Sequence, residues 1–174
     1  MKKIVTSALL LASIFISCSS NAQDDKSKRP SPPAIITQVI NSGAEISINY
    51  SQPSVKGRKI GKDLEPKDGE VWRTGANEAT IFETSKALKI DGKELPAGKY
   101  SLFSISGAKS WTIIFNKTWN QWGAYEYKAA DDILRITTKP QKADAFAEKM
   151  TFNIDKSGLI TLLWGDIKVG FTVE

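Results

Sequence analysis

Apolar and polar residues alternate with a period of two along most of the chain after residue 33. This alternation is typical of strands that bury one face and expose the other. Residues 159–164 are apolar on both parities except at Thr161, which predicts a central strand covered on both faces. The segments that alternate most clearly are 45–50, 111–115, 150–154 and 167–173.

Turn signals separate these segments and complete the fold prediction. Asn-Ser-Gly at residues 41–43 predicts a hairpin between the first two strands, and Asp-Gly at 91–92 predicts a type I′ turn. The pattern predicts at most one short helix, for which residues 143–149, about two turns and marginal alone, are the only candidate. We therefore predict an all-β fold, a single-domain antiparallel β-sandwich or jelly-roll-like barrel, over residues 34–174.

The N-terminus has the pattern of an export signal. Two lysines precede the apolar residues 4–16, a run shorter than the roughly 20 residues of a bilayer span. Residues 1–22 are therefore predicted to be a signal peptide, which leaves no transmembrane span after its removal. Signal peptidase cleavage after Ala22 and lipidation at Cys18 both remain open, and an uncleaved anchor is a third alternative. The predicted location is the periplasm or the extracellular space, with outer-membrane anchoring as a lipoprotein if Cys18 is modified.

Residues 23–33 are polar, charged and proline-rich, so we predict a flexible tether between the signal and the domain. The formal net charge of the whole chain is +5, from 24 basic and 19 acidic residues that are interspersed. Because no basic block is present, the charge pattern predicts a solvated mixed surface and no nucleic-acid partner.

Composition excludes several kinds of chemistry. The chain has no histidine, and its single cysteine is Cys18, which excludes Ser-His-Asp and Cys-His catalysis and makes zinc sites unexpected. Phosphate-binding glycine loops are also missing from the sequence, so we predict no cofactor, no metal site and no catalytic residue of these kinds. A carboxylate-dependent hydrolase remains as an alternative, with candidate acids Glu78, Glu126, Asp131 and Asp132; a simple turn is the other interpretation of the last two.

The densest polar chemistry lies at residues 71–78, with the sequence Val-Trp-Arg-Thr-Gly-Ala-Asn-Glu. A second basic segment, Lys-Gly-Arg at 56–58, places two cations around a flexible glycine. These segments predict a corner that binds a carboxylate or phosphate, or else a buried Arg–Glu network that locks a loop. The ligand-binding candidates here are Lys56, Arg58, Trp72, Arg73, Asn77 and Glu78.

Trp119 and Trp122 are two further candidates, on a segment that also contains Asn120 and Gln121. Exposed indoles beside amides suit sugar recognition, because the ring face stacks and the amides bind hydroxyl groups. The alternative interpretation is that the rings hold a long connection against the sandwich.

Five motifs resemble a bacterial family catalogued as domain of unknown function 2911, over about residues 31 to 174. They are Tyr-Ser-Gln-Pro at 50–53, Lys-Gly-Arg at 56–58, Trp-Arg-Thr-Gly-Ala-Asn at 72–77, Pro-Ala-Gly-Lys-Tyr-Ser-Leu at 96–102 and Trp-Thr-Ile-Ile-Phe-Asn at 111–116. The resemblance implies a secreted or envelope β-rich domain of Gram-negative bacteria without an assigned activity. We therefore expect a non-catalytic binding module for a polar or anionic small molecule or a glycan. A structural or protein-interaction domain and a hydrolase are the alternatives.

Overall fold

The computed structural model describes residues 25–174, where the regular elements are β-strands and two short 3-10 helices, Lys26–Lys28 and Ala129–Asp131. The predicted signal peptide, with its alternatives of lipidation at Cys18 and cleavage after Ala22, lies outside the described residues. The strands are β1 (Pro33–Val39), β2 (Glu45–Ser51), β3 (Val71–Trp72), β4 (Ala76–Thr84), β5 (Leu88–Ile90), β6 (Lys93–Leu95), β7 (Gly98–Ile105), β8 (Trp111–Asn116), β9 (Asp132–Thr138), β10 (Gln141–Ile154) and β11 (Leu159–Thr172).

Seven strands form one antiparallel main sheet. Its order is β1-β2-β4-β7-β8-β9, and β3 pairs with β7 beyond the end of β4. Because β1 and β9 both lie at edges, the sheets do not close into a barrel within the described residues. The all-β prediction is confirmed, and of its two architectures the structure has the sandwich-like one.

The long hairpin β10–β11 covers one face of the main sheet. Phe152 pairs with Leu162 across this hairpin, and both side chains are buried. Their core cluster also contains Ile48, Phe82 and Phe115 from the main sheet, as the alternating pattern requires. On the opposite face a smaller cluster forms around three buried side chains, to which the connection between β8 and β9 contributes. Those three residues are Ala79, Phe103 and Ile114.

Both predicted hairpin turns are present. Val39 pairs with Glu45 across the turn at residues 41–43, and Ile90 pairs with Lys93 across the turn at 91–92. Asp91 and Gly92 have φ of 52° and 71°, the left-handed conformation that the type I′ turn requires at both central positions.

The candidate helix over residues 143–149 is not formed, because this segment lies inside strand β10. Its pairing with β11 shifts register on either side of Ala147, so the apolar residues do not alternate regularly there. Local alanine-rich composition favoured a helix, but long-range pairing with β11 determines the conformation. No helix among residues 25–174 has the length and apolarity that crossing a bilayer requires.

Candidate functional site

The densest cluster of candidate residues lies where β3 ends and β4 begins, next to β7 of the main sheet. Trp72 at the end of β3 pairs with Ser104, and Thr80 in β4 pairs with Leu102. On β7 only Phe103 separates the partners Leu102 and Ser104. On the other side seven residues, 73–79, separate Trp72 from Thr80. The chain therefore leaves β7 over this stretch, which we call the 73–79 excursion.

Buried hydrogen bonds hold the excursion in shape. Trp72 is only 2% exposed, and its indole Nε1 donates to the carbonyl oxygen of Gly75 over 3.0 Å. Oγ1 of Thr80 donates to the carbonyl oxygen of Thr74 over 2.8 Å, and Oγ1 of Thr74 donates to Oγ of Ser104 over 3.0 Å. Thr74 has a φ of 51°, so these bonds stabilise a backbone conformation that a β-branched residue adopts rarely.

Asn77 and Glu78 bind the segment that precedes β1. Nδ2 of Asn77 donates to the carbonyl oxygen of Ser31 over 2.9 Å. The Glu78 carboxylate accepts from Nζ of Lys26 over 2.8 Å and from Nη1 of Arg29 over 3.0 Å. The excursion is therefore a point of attachment for the chain upstream of the sheet.

We call residues 25–32 the N-terminal segment; they lie in the tether predicted over residues 23–33. The backbone N–H of Gln52 donates to the carbonyl oxygen of Pro32 over 2.8 Å, which adds a main-chain contact to the side-chain contacts. Strand β1 begins at Pro33, one residue before the predicted domain boundary. The described part of the predicted tether is therefore docked on the domain.

The environment of Glu78 favours its charged form. Burial alone would raise the pKa of Glu78, but hydrogen bonds from Lys26, from the Glu78 backbone and from Arg29 lower that pKa from its usual 4.5 to about 2. Because the pKa in the folded protein lies below that of a free carboxyl, this ionic contact is fully present above pH 4.5 and is lost as the pH falls toward 2.

Acidification is therefore expected to release the N-terminal segment. Protonation of Glu78 between pH 4.5 and about 2 removes the charge that Lys26 and Arg29 contact. Backbone NMR shifts of residues 25–32, followed through a pH titration, measure the release. Glu78→Gln should produce the released shifts already at neutral pH. Glu83→Gln, a change at an exposed ion pair on the same strand, should not; a segment that stays docked in Glu78→Gln would contradict the assignment.

Arg58 and Arg73 line one cavity of about 200 Å³. Trp72 from β3, Trp164 from β11 and Leu64 from the connection between β2 and β3 line the same cavity. None of the ion pairs within residues 25–174 involves Arg58 or Arg73. The two predicted cationic segments therefore meet, and we call this space the arginine cavity.

The Arg73 side chain is incompletely satisfied. Its Nε is buried and has no hydrogen-bond partner within the described residues. Its Nη1 packs against Gly123, where a methyl group would lie 3.3 Å from that nitrogen. A buried guanidinium nitrogen without an acceptor is unfavourable, since about 1–3 kcal/mol is lost when a buried donor stays unpaired.

Arg58 is held differently from Arg73. Its Nη2 donates to the carbonyl oxygen of Ser54 over 2.8 Å and its Nε to that of Val55 over 3.2 Å, which fixes the guanidinium at the cavity. Lys56 is exposed and does not line the cavity, although its backbone N–H donates to Glu148 Oε1. Arg58 therefore lines the same cavity as Arg73, whereas Lys56 lies on the surface.

The two candidate tryptophans lie apart from the arginine cavity. Trp119 is 40% exposed and Trp122 is 53% exposed, and neither lines the cavity. Nζ of Lys99 lies 5.4 Å from the Trp119 ring centre, and the guanidinium carbon of Arg29 lies 5.9 Å from that of Trp122. Trp122 also forms an isolated backbone bridge with Glu78, and its ring packs against Arg29, which contacts the Glu78 carboxylate.

A comparison with protein-family models matches residues 31–173 to a family described as protein of unknown function (DUF2911). The chain belongs to the DUF2911 family. This match confirms the resemblance carried by the five sequence motifs. No curated protein and no solved structure shows significant similarity to the chain.

Two of the remaining candidate acids, Asp131 and Asp132, take part in contacts that hold the connection between β8 and β9, whereas Glu126 is exposed. Asp131 pairs with Lys117, and Asp132 accepts from Arg135 Nε and from the Tyr127 hydroxyl, each over 2.7 Å. Burial, together with the hydrogen bond to Asp132, raises the pKa of Tyr127 to about 12. No group of three or more metal-ligating side chains occurs among residues 25–174.

Sequence reasoning missed the walls of the arginine cavity. Glu65 and Trp164 both line it, and Nε1 of Trp164 donates to the Glu65 carbonyl oxygen over 2.8 Å. Ser31 reaches the cavity from the N-terminal segment. The apolar run at residues 159–164 marked Trp164 as buried, but no local signal connects it with residues 58 and 73.

Proposed function

We propose that this domain is a non-catalytic binding module that holds a small anion between Arg58 and Arg73. The observation that supports this best is that Arg58 and Arg73 line one cavity, while neither forms an ion pair among residues 25–174. A carboxylate or phosphate would supply the missing anionic partner, and guanidinium groups bind both with paired hydrogen bonds.

The size of the arginine cavity limits the ligand. Its volume of about 200 Å³ lies below the roughly 300–1,000 Å³ of pockets that enclose drug-sized molecules. The cavity suits a small anion or the acid group of a longer molecule. A larger cavity of about 300 Å³ near the C-terminus is lined by Lys89, Asp91 and Glu174, so cations do not predominate there.

Loss of either arginine is expected to weaken anion binding. Arg73→Gln and Arg58→Gln should each reduce the affinity for acetate or inorganic phosphate by about 10- to 100-fold, since a hydrogen bond to a charged group contributes about 1.5–3 kcal/mol. Ligand-detected NMR titration suits weak anions of this kind. Arg73→Lys should restore only part of the affinity, because lysine keeps the charge but loses the planar pair of donors.

Lys62→Gln is the matched control. Lys62 is exposed on the same connection as Arg58 and does not line the cavity. Its replacement by glutamine therefore removes one positive charge without changing the proposed site. If Lys62→Gln weakened binding as much as Arg73→Gln, the effect would come from net charge and the proposed site would fail. Absence of binding by acetate, phosphate and sulfate to the unmodified protein would also reject it.

Export to the periplasm or beyond is the second part of the proposal. It is supported by the sequence pattern of residues 1–22, and the two processing alternatives predict different mature masses. Cleavage after Ala22 would give a chain that starts at Gln23, whereas lipidation would give one that starts at an acylated Cys18. Intact-mass measurement of the protein from membrane and soluble fractions of its host distinguishes them.

A structural or protein-interaction domain is the alternative that the contacts of the excursion favour. Trp72, Thr74 and Glu78 all have partners within the chain, so much of this motif stabilises the fold. A glycan ligand would instead use the exposed rings of Trp119 and Trp122. Anion binding that depends on Arg73 and not on the two exposed tryptophans would favour the small-anion proposal over both.

A further inference from the structure

We propose that the natural ligand is a monocarboxylic acid with a hydrocarbon arm, held with its acid group between the two arginines and its arm along a neighbouring apolar groove. This inference rests on the proposed function and names the chemical class of its ligand. The juxtaposition of the arginine cavity with a second, apolar depression on the other side of Arg58 carries it.

Arg58 is common to the two spaces. It lines the arginine cavity, and it also lines a groove of about 420 Å³ together with Val55, Ile60, Phe146 and Ile167. The carbonyl oxygens that hold the Arg58 guanidinium fix it at this junction. An anion bound to Arg58 would therefore have an apolar surface next to it.

The groove exposes apolar side chains that the fold does not cover. Phe146 is 55% exposed, although it lies in the long strand β10, and Ile60 and Ile167 are partly buried beside it. Gly165 makes this arrangement geometrically feasible: a methyl group there would lie 2.6 Å from Cδ1 of Ile60 and 3.6 Å from the Phe146 ring. The missing side chain lets Ile60 and Phe146 approach each other over the backbone of β11.

The charges around the groove determine which end of a ligand it accepts. Beyond Arg58, the charged residues that line the groove are Lys59 and Asp166, whose opposite charges give that part of the groove no net attraction for a second acid group. The arginine cavity is lined by Arg58, Arg73 and Glu65, so positive charge predominates at that end. An uncharged arm with one terminal acid matches this distribution.

A series of straight-chain acids tests the inference on the purified protein. Affinities for acetate, butanoate, hexanoate and octanoate are measured by titration calorimetry or ligand-detected NMR. We expect about a twofold gain per methylene, or about 60-fold from acetate to octanoate, because the groove is open on one side and full burial of a methylene gives about fourfold. Phe146→Ala should lower the ratio of octanoate to acetate affinity by at least about fivefold.

Ile35→Ala is the matched control. Ile35 is 63% exposed on β1, and its removal should leave the octanoate-to-acetate ratio unchanged. If acetate binds through Arg73 but affinity does not rise with chain length, the hydrocarbon arm is wrong and the anion site stands. If octanoate binds with an affinity that Phe146→Ala does not lower, the groove is wrong. If no acid binds, and phosphate and sulfate do not either, both proposals fail.

Discussion

Replacing Phe115 by alanine is expected to lower the free energy of unfolding by about 3–5 kcal/mol. Phe115 lies in β8 and is fully buried. Its ring makes edge-to-face contacts with Phe82 and Tyr100 of the main sheet and with Phe171 of β11. Truncation would leave a cavity where the sheet meets the hairpin, so the loss combines hydrophobic transfer with cavity formation.

Chemical denaturation of Phe115→Ala measures this loss, and Phe146→Ala is its control. The control removes the same atoms from a side chain that is 55% exposed, so we expect a loss of about 1 kcal/mol or less. Equal losses for the two variants would mean that the hairpin does not pack on this face of the sheet through Phe115. A two-state transition with an unchanged m-value for both variants is needed for the comparison.

The strands were predictable because the signal for a half-buried strand is local. Ile46, Ile48 and Tyr50 alternate with polar residues, and all three side chains are buried on the core face. Turn chemistry is equally local, since Asp91 and Gly92 adopt the left-handed conformations that their residue types tolerate. These features need no knowledge of the rest of the fold.

Pairing between distant residues was not predictable in the same way. The segment 143–149 has helical composition, but β11 supplies hydrogen-bond partners that make it a strand. The 73–79 excursion exists only because β3 and β4 both pair with β7, which requires the register of two separate strand pairs. Neither fact is encoded in a short window of sequence.

The candidate site shows the same division between features with a local sequence signal and features that depend on long-range contacts. Arg58 and Arg73 were identified by residue type, and the fold brings them to one cavity across the connection between β2 and β3. Trp122 was identified with them, but its ring packs against Arg29 of the N-terminal segment instead of lining the cavity. The attachment of this segment was missed, because proline-rich polar composition gives no indication of a docking surface.

Replacing Trp72 by alanine is expected to lower the free energy of unfolding by about 3–5 kcal/mol, with the same order of effect as Phe115→Ala. Trp72 is 2% exposed and lies edge-to-face against Trp111, with ring centres 6.4 Å apart. Truncation also removes the donor to the Gly75 carbonyl oxygen, inside a turn where Thr74 has positive φ. The excursion should therefore lose the contact that closes its first half.

Two further variants separate the packing of Trp72 from its hydrogen bond. Trp72→Phe keeps an aromatic ring but leaves the Gly75 carbonyl without its donor, so we expect a smaller loss of about 1–3 kcal/mol. Trp122→Ala removes an indole that is 53% exposed and contributes a cation–π contact to Arg29, which predicts a loss of about 1 kcal/mol or less. If Trp72→Ala were no more costly than Trp122→Ala, the excursion would be held without its indole. In that case Arg73 would owe its position at the cavity to Thr74 and Thr80, whose hydrogen bonds remain in every one of these variants.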